Sequence, residues 1–200
     1  MEKVVKAQDD LTTCKIWVEI IHQNIMDSFA YYGYLQGLDA FFATYEHKNE
    51  LSIACLEFIK HQKYLLQTAI CLNIAKLLFD EGKDVYSFRN FKKKIDAYSG
   101  ECLRVKKVSI DKSIEDAVKS FRKNYIAHSI ENREFVSVKM SALYEVLKLE
   151  VAYFNAITNN EIFEQGYRFN DDTIERWIRH CSTGVWDFIL MMKNEQMISI

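Results

Sequence analysis

Two hundred residues pass without a single proline, and only six glycines interrupt them. Proline breaks helices, and turn-rich β folds lean on proline and glycine together. A chain this poor in both is free to run in long helices. Apolar residues recur along it at steps of three and four, the spacing of one helix face. Leu11, Cys14, Val18, Ile21 and Ile25 make one such stripe, starting near Asp9 or Asp10. Phe29, Tyr32, Leu35 and Phe42 extend it, with Gly33 and Gly37 inside. That stretch reads equally as one long helix bent at the glycines or as two helices.

The remaining segments obey the same logic. Residues 46–50 are a polar break. From Leu51 to about Phe79, Leu51, Cys55, Phe58, Leu65, Ala69 and Leu72 form one face, while Ile70, Ile74, Leu77 and Leu78 populate others. A helix that is apolar all round is central in a bundle. Gly82 is the expected C-cap. Ser87 is placed to cap a short basic helix from Phe88 to about Tyr98. Residues 101–108 read as a basic loop. Alternation over Phe135–Lys139 allows a short strand. Met140, Leu143, Tyr144, Leu147, Val151 and Phe154 mark a further helix. Ile174, Trp177, Ile178, Cys181, Val185, Phe188, Ile189 and Met192 mark the last, with Asp172 and Glu175 suggesting its cap. Trp186 falls off that stripe, facing either a second subunit or a neighbouring loop. The expectation is one all-α domain over residues 1–200, a helical bundle of five to seven helices.

Composition narrows the function classes. The net charge is -2, which argues against strong nonspecific nucleic-acid binding. The charge is uneven, though: Lys83–Lys123 holds twelve basic and six acidic residues. One RNA-facing surface on an acidic body would produce this, as would ordinary solvated charges. Five scattered cysteines with no C-x-x-C spacing read as reduced core residues of a cytoplasmic protein, and no metal-ligand constellation is recognisable. The N-terminal MEKVVKAQDD lacks the apolar stretch of a signal peptide. The most apolar run, Tyr64–Phe79, is interrupted by polar residues and is shorter than the roughly 20 residues that span a bilayer, so no membrane association is expected.

One stretch stands apart: SIEDAVKSFRKNYIAHS, Ser113–Ser129. Ser113 with Asp116 fits a helix-capping pattern, and Asp111 competes as the cap. Ile114, Val118, Phe121, Tyr125 and His128 share a face. Asn124 precedes His128 by one turn. Arg122 lies about 120° round the helix from His128, so the two cannot easily meet within one straight helix. Cooperation between them requires a distortion or a second copy.

Arg122-Lys123-Asn124-Tyr125-Ile126-Ala127-His128 resembles the Arg-x(4–6)-His motif of the HEPN superfamily, and RKNYIAHS resembles the corresponding segment of AbiU2-like HEPN proteins. The upstream LLQTAICLNIAKLLFDEG followed by Ser87-Phe88 is similar in layout to those chains. Ile130 stands where paired HEPN toxins often carry a modifiable Tyr. The resemblance implies an HEPN-like helical bundle, a homodimer through the motif face, and an abortive-infection endoribonuclease needing no metal or other cofactor. It also implies an antitoxin or regulatory protein as a partner beside RNA.

By that resemblance, His128 is the general acid/base and Arg122 holds the phosphate and offsets transition-state charge. Asn124 orients His128 or binds phosphate. Lys119, Lys123 and Ser129 are candidates for phosphate or RNA contact. The expected products carry a 2′,3′-cyclic phosphate and a 5′-OH. The residues by themselves leave a plainer reading open. His128 could bond a carbonyl at a helix end, and Arg122 could pair with an Asp or Glu of a neighbouring helix. The chain would then be a non-catalytic module that binds RNA, a nucleotide or a protein.

Overall fold

The computed structural model describes residues 2–44, 53–83, 85–99, 109–127, 138–159, 163 and 167–194, with backbone alone at 2–9, 54, 55, 121, 123–127 and 192–194. The protein is all-α. Among the described residues the helices are α1 (Glu2–Thr44), α2 (Ile53–Ile74), α3 (Phe88–Ser99), α4 (Lys112–Ala127), α5 (Met140–Thr158) and α6 (Asp171–Asn194). α2 passes directly into a π-helical turn, Ala75–Phe79. α1 is one continuous helix and starts well before Asp9, which settles the one-or-two question left by Gly33 and Gly37. Of the expected strand, 135–137 lie outside the described residues, and Val138 and Lys139 are not in a strand. No described helix is long and apolar enough to cross a membrane.

The chain divides into two compact units, Met1–Met26 with Cys71–Phe169, and Asp27–Ile70 with Asn170–Ile200. In the first, the expected α1 stripe is buried at Cys14, Val18, Ile21 and Ile25, joined by Trp17. Cys71, Ile74, Ala75 and Leu77 are also fully buried, as the all-round apolar pattern requires. An aromatic chain links the elements: Phe91 lies 6.3 Å from Phe154, Phe154 lies 5.4 Å from Phe169, and the His22 ring stacks on Phe169 at 4.4 Å. Burial holds the His22 imidazole below its usual pKa, which favours the neutral ring in this aromatic stack.

In the second unit, Gly33 and Gly37 of α1 meet the backbone of α6. A Cβ on Gly33 would lie 2.6 Å from the Ile178 carbonyl oxygen, and one on Gly37 would lie 2.6 Å from that of Ser182. The two glycines therefore let the helices approach more closely than any other residue would. A small core of Leu38, Phe41, Ile59 and Ile189 closes one end. Trp186 packs edge-on against Phe41 at 5.2 Å, within its own chain.

Two expected helix ends are corrected. α6 is capped by Asn170, whose Oδ1 accepts the Thr173 N–H at 2.8 Å, and not by Asp172 or Glu175, which lie inside the helix. After the π turn the chain leaves through Asp80 in an extended conformation, so Gly82 is not the C-cap. The expected face of α2 is rotated: Phe58 is 52% exposed and Leu65 37%, whereas Ile59 is buried. Where a helix is apolar on several sides, its neighbours decide which side closes.

Candidate functional site

α4 begins at Lys112 because Asp111 caps it. The Asp111 Oδ1 accepts the Ser113 N–H at 2.8 Å and also the Ser113 hydroxyl. Those bonds hold the Asp111 carboxyl below its usual range. Of the two competing caps, the aspartate is therefore the acceptor and Ser113 is its donor. One face of α4 is anchored by buried Val118.

Two motif-side cations reach the end of the π turn from α4. Lys119 sets its ammonium 5.1 Å above the Phe79 ring and pairs with Glu115 one turn back. Arg122 donates from Nη2 to Asp80 Oδ2 at 2.8 Å, with the guanidinium side chain still 38% exposed. The other Asp80 oxygen accepts the Gly82 N–H at 3.1 Å.

The loop that carries Asp80 is itself pinned. Ser87 stands at the start of α3 as expected, with its Oγ accepting the Asn90 N–H at 3.5 Å. Asn90 is buried, and its side-chain amide donates to the carbonyls of Gly82 at 2.7 Å and Val85 at 3.0 Å. A chain of contacts thus runs from α3 through the loop to Arg122. π-helical turns occur often at functional sites, and here the turn delivers Asp80 directly to the motif helix.

His128 and Ser129 lie outside the described residues. Lys123 and Asn124 are in α4, and their side chains lie outside them too. The described part of the site is therefore Arg122 with Lys119, Phe79 and Asp80. Three cations of the basic stretch upstream are committed within the protomer. Arg89 pairs with Glu81 at 2.5 Å, Lys92 pairs with Asp96 at 2.6 Å, and Lys94 lies 5.1 Å over the Trp17 ring. The basic loop 101–108 lies outside the described residues.

Cys14, Cys71 and Cys181 are free and buried, and Cys55 and Cys102 lie outside the described side chains. Burial pushes the Cys71 thiol up to about 12, and it raises Cys14 and Cys181 as well, so these thiols are poor nucleophiles and ligands. Among the described residues no group of three His, Cys, Asp or Glu could hold a metal ion.

A further group escaped the sequence reading. Glu150 of α5 is completely buried, and neither carboxylate oxygen has a hydrogen-bond partner among the described residues. Desolvation pushes its carboxyl up to about 8. The signal was available: Glu150 lies seven residues after Leu143 and three after Leu147, both fully buried, so it falls on the helix's apolar face. No protein-family model, curated protein or solved structure matches this chain.

Proposed function

We propose that this protein is a metal-independent endoribonuclease of the HEPN type, acting as an abortive-infection effector, with Arg122 and His128 combined across a pair of copies. The observation that carries the proposal is the position of Arg122. It sits late on α4, 38% exposed, and among the described residues its contact is through Nη2 to Asp80. A guanidinium that keeps solvent access can take a phosphate in the planar, bidentate manner that suits it. The reaction needs only the RNA's own 2′-OH as nucleophile. His128 removes its proton or protonates the 5′-oxygen that leaves, and Arg122 offsets the charge that builds on the phosphate. An antitoxin or regulatory protein would restrain such an activity.

The test is cleavage of RNA by the purified protein in EDTA, beside Arg122→Ala and His128→Ala. The expected result is cleavage by the wild type, 2′,3′-cyclic phosphate ends, and a loss of about 10²–10³-fold in either variant. Equal cleavage by all three would refute the assignment.

A second reading has its own support. Arg89, Lys92, Lys119 and Arg122 all have carboxylate partners, so part of the basic stretch is neutralised in place. A non-catalytic helical module binding RNA, a nucleotide or a protein fits that observation. Binding that survives His128→Ala, with no cleavage by the wild type, would favour it.

A further inference from the structure

α4 lays two cations along the end of the π turn. Lys119 and Arg122 are three residues apart, so they are neighbours on one helix face, with ~5–6 Å between their Cβ atoms. Lys119 sets its ammonium 5.1 Å above the Phe79 ring, and Arg122 donates to Asp80, the next residue of the chain. Phe79 is the last residue of the turn and is only partly buried, whereas Ala75 and Leu77 of the same turn are fully buried. What stands over its ring is therefore a solvated cation and not a packed apolar group: the Lys119 side chain is 50% exposed.

Both cations are held by carboxylates, Lys119 by Glu115 and Arg122 by Asp80. Neither hold is strong, because ion pairs that keep solvent are weak and screened by salt. A cation–π contact at an exposed site is of the same small order. A nucleobase stacked on an aromatic ring gains more than either. The Phe79 face can therefore change occupant: a base displaces the ammonium, and Lys119 swings on its flexible stem to a backbone phosphate. An aromatic ring flanked by two cations on one helix face is the combination that single-stranded nucleic acid uses. The ring takes a base while the charges follow the backbone.

We infer that Phe79 is a stacking platform for one unpaired nucleobase of the RNA, beside the phosphate that Arg122 holds, with Lys119 passing to an adjoining phosphate. The inference rests on the ribonuclease reading of Arg122. It adds that the substrate is single-stranded where it is held, since a base paired within a helix is not free to lie on the ring. It also makes the subsite tolerant of sequence, because every base has a π face and the Phe79 ring carries no group that reads a base edge.

The experiment uses the full chain and two hexanucleotides of equal charge. Both carry 2′-O-methyl sugars, which remove the nucleophile; one bears uracil throughout and the other is abasic throughout. The wild type is expected to bind the base-bearing strand at least about fivefold more tightly. Phe79→Leu keeps an apolar side chain without a π face and should bring that ratio close to one, while Phe79→Tyr should keep it. Lys119→Ala should weaken both strands alike. A merely structural role for Phe79 would lower both affinities together and leave the ratio unmoved. In parallel, the wild type is irradiated with a strand containing 5-iodouracil, and the adduct is located by peptide mass spectrometry, with Phe79 expected. This arm needs no variant and decides the matter even if Phe79→Leu fails to fold. A wild-type ratio near one, a ratio unchanged in Phe79→Leu, both strands bound undiminished by Lys119→Ala, or no adduct at Phe79 each overturns the inference. Cleavage of ordinary RNA in EDTA is scored separately. A base-dependent ratio that collapses in Phe79→Leu, with no cleavage by the wild type, supports the platform and refutes the ribonuclease step alone.

Discussion

Arg122 on α4 and Asp80 at the exit of the π turn form an ion pair of 2.8 Å across 42 positions of sequence. Both groups keep some solvent, so the pair contributes about 1 kcal/mol or less to stability. Its larger consequence is electrostatic. A carboxylate beside the guanidinium opposes any phosphate that approaches the same group. Under the ribonuclease reading Asp80→Asn therefore tightens RNA binding by up to about fivefold, in line with the modest worth of an exposed pair. The salt dependence of binding should steepen by about one counterion, which a titration at several ionic strengths reads directly. If Arg122 serves only to tie α4 to the loop, Asp80→Asn leaves RNA binding unchanged.

Glu150 should make the protein less stable as pH rises. Its folded carboxyl sits at about 8, above its ordinary value of 4.5, so the folded state prefers the protonated form. Below pH 4.5 both folded and unfolded chains are protonated there and no penalty exists. Between 4.5 and about 8 the unfolded chain releases the proton and the folded chain keeps it, and folding loses roughly 3 kcal/mol by pH 7. Glu150→Gln should raise the midpoint of urea unfolding at pH 7 by a corresponding amount and leave it almost unchanged at pH 4. A gain of equal size at both pH values would show that proton linkage at Glu150 is not the cause.

Gly33 and Gly37 should resist substitution. Alanine normally gains up to about 1 kcal/mol over glycine in a helix. Here the added methyl would lie 2.6 Å from a carbonyl oxygen of α6 at either position, so backbone must move. Overpacking of that kind costs about 1–3 kcal/mol. Gly33→Ala and Gly37→Ala should each lower the urea midpoint, with the double variant lower still. A stabilised Gly33→Ala would mean the two helices do not meet at this distance in solution.

These contacts mark where the sequence was readable and where it was not. The all-α class came from missing prolines and unbroken three-four spacing, and the α1 stripe is buried largely where the pattern places it. On α6, Ile174, Ile178, Cys181 and Ile189 are buried as expected, but Trp177 and Phe188 of the same expected stripe are exposed, because they lie at its edge, away from α1. The face of α2 was misjudged because a helix apolar on several sides does not say which neighbour covers which side. The α4 cap was ambiguous because Asp111 and Ser113 offer similar oxygens within two residues, and the α6 cap was misplaced at Asp172 and Glu175 because Asn170, two residues before Asp172, offers a similar oxygen that backbone geometry selects. At the candidate site the sequence allowed Arg122 an acidic partner. It could not name Asp80, because the partner is set by how the chain leaves the π turn.

Asn90 offers a way to loosen that arrangement without touching Arg122 or Asp80. Its buried amide satisfies the carbonyls of Gly82 and Val85, and Gly82 in turn donates to Asp80. Asn90→Ala leaves two carbonyls without that donor and should cost about 1–3 kcal/mol of stability, seen as a lower urea midpoint. The same change releases the Asp80 carboxylate from a fixed position, so Arg122 gains freedom. Below the denaturation midpoint, RNA binding by Asn90→Ala should then move in the same direction as in Asp80→Asn. The double variant should add little beyond Asp80→Asn alone, because both act through one contact. Full additivity of the two effects on binding would show that Asn90 acts on the site by a route other than Asp80.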